Sequence, residues 1–195
     1  SPVIFGDLVY LWVGPGKNQV LLALEKETGK LAWEHKEPGG ASGIGADKEW
    51  IGSWSTPLIS RVGDHDELIL SMPKAVRGFD PKTGKVLWSC EGLTNLVYTS
   101  PLCSPDGIVV AMSGYGGAPV GVRAGSGDVT KSQRLWHHPR NSQRIGSGVI
   151  LGKYAYMVNE DGTGQCFELE TGKDLWKKEH VTGKTWSNIL AEGGR

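Results

Sequence analysis

The sequence predicts an all-β protein, a β-propeller of four-stranded antiparallel blades, and three observations lead there. A short phrase, acidic residue then Thr-Gly-Lys then Trp, recurs as "EKETGKLAW" at 25–33, "DPKTGKVLW" at 80–88 and "ELETGKDLW" at 168–176. A second landmark, Ser or Thr followed by a small or turn residue and aliphatics, recurs as "SPVI" at 1–4, "TPLI" at 56–59, "SPLC" at 100–103, "SGVI" at 147–150 and "SNIL" at 187–190. Between these landmarks lie short segments rich in Val, Leu, Ile, Tyr and Trp, bounded by Gly, Asp, Pro and Asn. That is strand and turn chemistry. No segment sustains a helical apolar period, so helix content should be very low. One four-stranded sheet per roughly 40–55 residues, repeated, is the signature of propeller blades.

The first blade spans about 1–36, with strands "PVIF", "LVYLW", "VLLAL" and "KLAWEH". The second spans about 55–90, with "PLIS", "ELILS", "AVRGF" and "KVLWS", and the same spacing separates Pro57 from Trp88 as separates Pro2 from Trp33. The third, about 99–138, keeps Trp136 but replaces the tight turn with the longer loop of "VRAGSGDVTKSQRLW". The fourth, about 146–180, reads "GVIL", "YAYMV", "GQCFEL" and "DLWKKE". The segment 185–195 reads as the start of a fifth repeat.

Within each repeat the Thr-Gly-Lys phrase is the hairpin between the third and fourth strands. Gly29, Gly84 and Gly172 supply its positive φ. Trp33, Trp88, Trp136 and Trp176 then fall at one height on the outermost strand. A blade cannot bury both faces alone, so each indole is expected to pack onto a neighbour. The small residues Ala23 and Gly78 stand where bulk would obstruct that packing.

Composition narrows the function classes. The chain has 195 residues, and Lys+Arg and Asp+Glu balance at 21 each, so bulk charge points to neither nucleic acid nor an anionic membrane. No apolar run approaches the ~18 residues of a membrane span. Cys90, Cys103 and Cys166 are far apart and lack zinc-site spacing, and they read as buried free thiols. No GxSxG, HExxH or P-loop phrase occurs, and no residue is assigned as catalytic.

The pattern "A-x-D/E-x-x-T-G-K-x-x-W", met by Ala23, Glu25, Thr28, Gly29, Lys30 and Trp33 and closely by Gly78, Asp80, Thr83, Gly84, Lys85 and Trp88, resembles the tryptophan-docking repeat of PQQ-type (pyrroloquinoline-quinone-like) β-propellers. In the fourth unit it holds at Glu168, Thr171, Gly172, Lys173 and Trp176, with Cys166 at the small position. That family includes quinoprotein dehydrogenases, BamB-like assembly proteins without a cofactor, and exported bacterial PQQ-like repeat proteins. The resemblance implies a seven- or eight-bladed ring of which four blades are about half, although a four-bladed ring stays open. It also implies a periplasmic, cell-envelope or secreted setting. It does not imply a bound quinone here, because the dehydrogenases use vicinal cysteines and a Ca²⁺-holding carboxylate and amide set, and no adjacent cysteines occur. No cofactor and no metal are expected.

The expected function is a non-catalytic protein- or ligand-binding scaffold. The alternatives are part of a quinone-dependent dehydrogenase or extracellular hydrolase, or a sensor module. Partners are a protein, or a second copy meeting the open blade faces to make a homodimer. Long loops gather on the face formed by second-to-third-strand loops and inter-blade links, namely 36–55, 113–119 and 137–146. Trp50, Trp54, Tyr115, His137, His138, Arg140 and Arg144 form the candidate binding face, and the stretch 123–144 is locally basic. Adjacent His137 and His138 point apart on an extended chain, which disfavours a shared metal. The acidic "GDHDE" at 63–67 reads as a solvated hairpin rather than a Ca²⁺ loop.

Overall fold

A computed structural model describes residues 1–39, 50–141, 145–176 and 179–191. Blade 1 is β1 (Val3–Phe5), β2 (Leu8–Val13), β3 (Asn18–Glu25) and β4 (Leu31–Pro38), followed by the link strand β5 (Gly52–Ser53). Blade 2 is β6 (Leu58–Val62), β7 (His65–Met72), β8 (Ala75–Phe79) and β9 (Val86–Glu91), followed by the link strand β10 (Leu96–Val97). Blade 3 is β11 (Leu102–Cys103), β12 (Ile108–Met112), β13 (Pro119–Arg123) and β15 (Arg134–His137), with β14 (Gly127–Asp128) between the last two. Blade 4 is β16 (Val149–Leu151), β17 (Tyr154–Val158), β18 (Thr163–Glu168) and β19 (Glu179–His180). Each blade is an antiparallel meander, no helix occurs among the described residues, and the ring is not closed.

Period-two alternation sends each strand's side chains to two neighbours, and the core is therefore three inter-blade layers. Tyr10, Leu21 and Ala23 of blade 1 meet Leu68, Leu70, Met72 and Phe79 of blade 2. The opposite face of blade 2, with Ile69, Val76, Trp88 and Cys90, meets Val109, Ala111, Val120 and Val122 of blade 3. Ile108, Val110, Met112 and Trp136 then meet Ala155, Met157, Phe167 and Leu169 of blade 4. Each of these buried aliphatics and aromatics contributes on the order of 1.5–3 kcal/mol of transfer free energy.

The second sequence landmark has a structural counterpart. The amide of Thr56 donates to Ser100 Oγ at 3.0 Å, that of Ser100 to Ser147 Oγ at 2.8 Å, and that of Ser147 to Asn188 Oδ1 at 2.7 Å. The unit starts thus form a ladder from blade to blade. Each hydroxyl or amide oxygen accepts a backbone N–H that a strand opening would otherwise leave unpaired.

Trp88 lies in one layer with Val109, Val120 and Val122 of blade 3, while its indole N–H stays within its own blade. Its Nε1 donates to Glu67 Oε2 of its own blade at 2.6 Å, because the third blade lacks the tight turn. The longer loop there folds back instead, and β14 adds a parallel strand to the outer edge of blade 2, pairing Gly127 with Trp88 and Asp128 with Ser89. Two expectations need correction. Trp176 is not on an outer strand. It lies in a bend, half exposed. Glu67 is not a solvated hairpin residue but is 1 % exposed, with His65 Nε2 at 2.9 Å from its second oxygen.

Candidate functional site

The link between blades 1 and 2 brings Trp54 down beside the link between blades 2 and 3. The parallel pair β5–β10 fixes the approach, with the Gly52 amide donating to Asn95 O and the Trp54 amide to Val97 O at 2.8 Å. Trp54 thereby stacks on Tyr98 with ring centroids 4.7 Å apart and planes 4° from parallel. Tyr98 in turn meets Tyr115 at 4.3 Å. Three loops from two links and one hairpin thus converge on one aromatic row, whose end members Trp54 and Tyr115 are exposed.

The loop that presents Tyr115 is tightly built. Ser113 N and Oγ both donate to Ala118 O, Gly117 N donates to Gly114 O, and Thr94 N donates to Ser113 Oγ. Tyr115 itself holds φ 50, a left-handed conformation disfavoured for a residue with a Cβ, and the surrounding hydrogen bonds over-determine it. Burial, with the neighbouring Tyr115 second, raises the Tyr98 hydroxyl above its ordinary pKa of 10.0, so Tyr98 stays neutral in ordinary conditions. A neutral, preorganised aromatic row suits apolar, prolyl or aromatic side chains of a polypeptide.

The remaining candidate residues are dispersed. Trp50 is exposed and has no ring partner in that row. His137 Nε2 donates to Gly92 O of blade 2 at 3.0 Å, whereas His138 Nε2 donates to Gly172 O of blade 4 at 3.1 Å and stacks on Trp136. The two imidazoles therefore clamp opposite neighbours. Arg140 lines a cleft of about 380 Å³ between blades 3 and 4, together with His138, Phe167 and Lys173. Arg144 lies outside the described residues, as do 40–49 of the long first link. The basic stretch is partly neutralised, since Arg123 pairs with Glu170 at 2.5 Å and Arg134 donates to the Glu91 carbonyl.

The repeated indoles reach their neighbours where the tight turn exists. Trp33 Nε1 donates to Pro81 O of blade 2 at 3.0 Å, and a Cβ added at Gly84 would fall 2.5 Å from the same ring. Trp136 Nε1 donates to Leu169 O of blade 4 at 2.6 Å, and a Cβ at Gly172 would fall 2.6 Å from that ring. The small residue opposite each Trp matters equally. Ala23 faces Trp33, Gly78 faces Trp88 and Gly121 faces Trp136 across the sheet.

Sequence reasoning placed Trp54 and Tyr115 on one face but missed Tyr98, the ring that joins them. A signal was present. Trp54 and Tyr98 each stand two residues before a unit-opening landmark, in "WSTP" and "YTSP".

Among the described residues no group of three or more His, Cys, Asp and Glu side chains could share a metal ion. Cys90, Cys103 and Cys166 are all free thiols on separate strands, and burial pushes the Cys90 thiol up to about 11. Among the described residues the three cysteines are not adjacent, and no carboxylate group stands with them as in the vicinal-cysteine and carboxylate cradle of a quinone.

A family profile described as outer membrane protein assembly factor BamB matches residues 1–193. Among solved structures the chain is similar to BamB from Moraxella catarrhalis, with TM-score 0.72 and 21% identity, over 98% of this chain and 52% of that one. It is also similar to a europium-containing methanol dehydrogenase, with TM-score 0.57 and 12% identity, over 93% of this chain and 41% of that one. A third match is the quinohemoprotein alcohol dehydrogenase ADHIIG from Pseudomonas putida HK5, with TM-score 0.54 and 16% identity, over 92% and 34%. This chain thus spans about half the length of the BamB structure, and less of the dehydrogenases. A search of curated protein sequences gave no match.

Proposed function

This chain belongs to the family of the outer membrane protein assembly factor BamB, and from that premise we propose that it is a non-catalytic, protein-binding scaffold of the cell envelope. The observation that supports the reading is the exposed row Trp54–Tyr98–Tyr115, three rings held by rigid loops on one face of a rigid blade set. Aromatic side chains fixed in this way give large contact area at low entropic cost, which is the composition of protein-binding hot spots. The partner is a polypeptide segment with apolar or aromatic side chains, in the periplasm or at the outer membrane, as the family's name implies. In this reading the Trp33 and Trp136 contacts serve assembly of the blade set rather than ligand binding, and no quinone takes part.

Site-specific photo-crosslinking tests it. A photoreactive residue at position 54 or 115, in cells exporting the protein, should capture a discrete envelope protein. The same residue at Glu27, on a hairpin of the opposite face, should not. Capture at 54 should also vanish with Tyr98→Ala. Equal capture from both faces, or capture that survives loss of Tyr98, would remove the aromatic row from the function.

A further inference from the structure

The joint between blades 1 and 2 carries its own anion, and the joint between blades 3 and 4 does not. Counted from the indole, His35 and Glu37 follow Trp33 as His138 and Arg140 follow Trp136. On the receiving side, Arg77, Phe79 and Gly84 of blade 2 correspond to Gln165, Phe167 and Gly172 of blade 4. The indoles bear out this match, since Trp33 covers Gly84 and Trp136 covers Gly172.

At the first joint the groove beside the indole is closed. The Glu37 carboxylate meets His35 Nε2 at 2.6 Å and Arg77 Nη1 at 2.9 Å. The His35 ring sits edge-on to Phe79, with centroids 5.0 Å apart. β4 delivers Glu37 because it stays paired with β3 as far as Pro38.

At the other joint the same groove is open. β15 ends at His137, just past Trp136, and Pro139 stands where Lys36 continues β4. A proline has no N–H for a strand ladder. Arg140 thereby takes the position of Glu37 and Gln165 that of Arg77, so both members of the closing ion pair are lost. What remains is a cleft of about 380 Å³, walled by Trp136, Pro139 and Phe167 and edged by Arg140 and Lys173. Asp174, the carboxylate on its wall, accepts from Gln165 Nε2 at 2.6 Å. Among the described side chains no carboxylate lies within ion-pair distance of Arg140 or Lys173. The sequence that follows, Ser-Gln-Arg after Asn141 and Lys-Lys after Trp176, adds no acid.

We propose that this cleft is a binding site for an acidic side chain of an extended polypeptide segment. Its carboxylate would take the Arg140 guanidinium, whose planar fork matches a carboxylate in two parallel hydrogen bonds. Its aliphatic stem would lie against the apolar wall. The first joint favours a polypeptide over a free acid, because there the same groove is filled by a glutamate arriving on an extended strand. The cleft shares no residue with the Trp54 row, so the inference does not depend on what that row binds.

NMR chemical-shift titration of the isotope-labelled 195-residue chain tests it, since shifts report even millimolar affinities. The probes are the capped peptide acetyl-Gly-Val-Glu-Val-Gly-amide and its counterpart with Gln in place of Glu. The amides of His138, Arg140 and Lys173 should shift saturably with the Glu peptide, and the Gln peptide should bind at least ~10-fold more weakly. Arg140→Gln, at an exposed position, should weaken the Glu peptide to the same degree while β-type circular dichroism is retained. Lys173→Gln reads the same site from blade 4, should that change disturb the link, and it should also weaken the Glu peptide. Lys131→Gln removes an exposed cation of the same basic stretch outside the cleft, and it should change nothing. No shifts at millimolar peptide, equal binding of the two peptides, or an equal loss with Lys131→Gln would overturn the site. Free glutarate binding as tightly as the Glu peptide would overturn the polypeptide as its occupant.

Discussion

Trp88 and Glu67 share a hydrogen bond of 2.6 Å inside blade 2, and neither side chain reaches solvent. Where blades 1 and 3 send their indole outward to the next turn, this blade turns it onto a buried carboxylate, and β14 seals the edge outside. Glu67→Leu should leave the Trp88 N–H unpaired and cost about 1–3 kcal/mol in urea unfolding. Glu67→Gln keeps an acceptor and should cost less. Equal losses for the two would show that packing volume, not the hydrogen bond, holds the indole.

Gly84 and Gly29 both hold positive φ, 72° and 70°, but only Gly84 lies under an indole. Gly29→Ala should cost only the conformational penalty, about 1 kcal/mol. Gly84→Ala should cost at least about twice that, because its Cβ must also displace Trp33. Thermal unfolding of the pair compares the two directly, and indistinguishable midpoints would argue against tight Trp33 seating.

Glu37 links blade 1 to blade 2, with His35 Nε2 at 2.6 Å and Arg77 Nη1 at 2.9 Å. Burial works to raise its pKa, but the His35 hydrogen bond and the Arg77 charge outweigh it, and the net value falls below 4.5. A depressed carboxyl pKa contributes stability that is complete above the unfolded value and is lost as pH falls through the folded one. Glu37→Gln should therefore destabilise the protein near neutrality, and the difference from wild type should shrink on acidification through the glutamate range. A constant difference across that range would assign the effect to shape alone.

A scaffold and a dehydrogenase part company on ligand linkage. Anything that binds the folded state raises its unfolding temperature. Pyrroloquinoline quinone with Ca²⁺ should leave the midpoint of this chain unchanged. A saturable rise would favour the dehydrogenase reading instead.

Each open question about the site turns on non-local contacts. Trp54 and Tyr115 are readable as loop aromatics, but Tyr98 joins them only because two links pair in parallel from separate parts of the chain. His137 and His138 read as a pair, yet each bonds a different blade. The same Thr-Gly-Lys phrase predicts an outer strand through the Trp in blades 1 and 4, yet it is formed in blade 1, where blade 2 receives Trp33, while Trp176 lies in a bend.

What the sequence by itself determined is local: four-stranded units, the Thr-Gly-Lys hairpins with their positive-φ glycines, and a small residue opposite each of Trp33 and Trp88. These follow from turn chemistry and side-chain period, which act over a few residues. The tertiary structure alone decided which indole leaves its blade, that Glu67 goes inside, and that a loop of blade 3 completes blade 2. Those outcomes depend on what stands across the layer, and identical phrases settle differently when their neighbours differ.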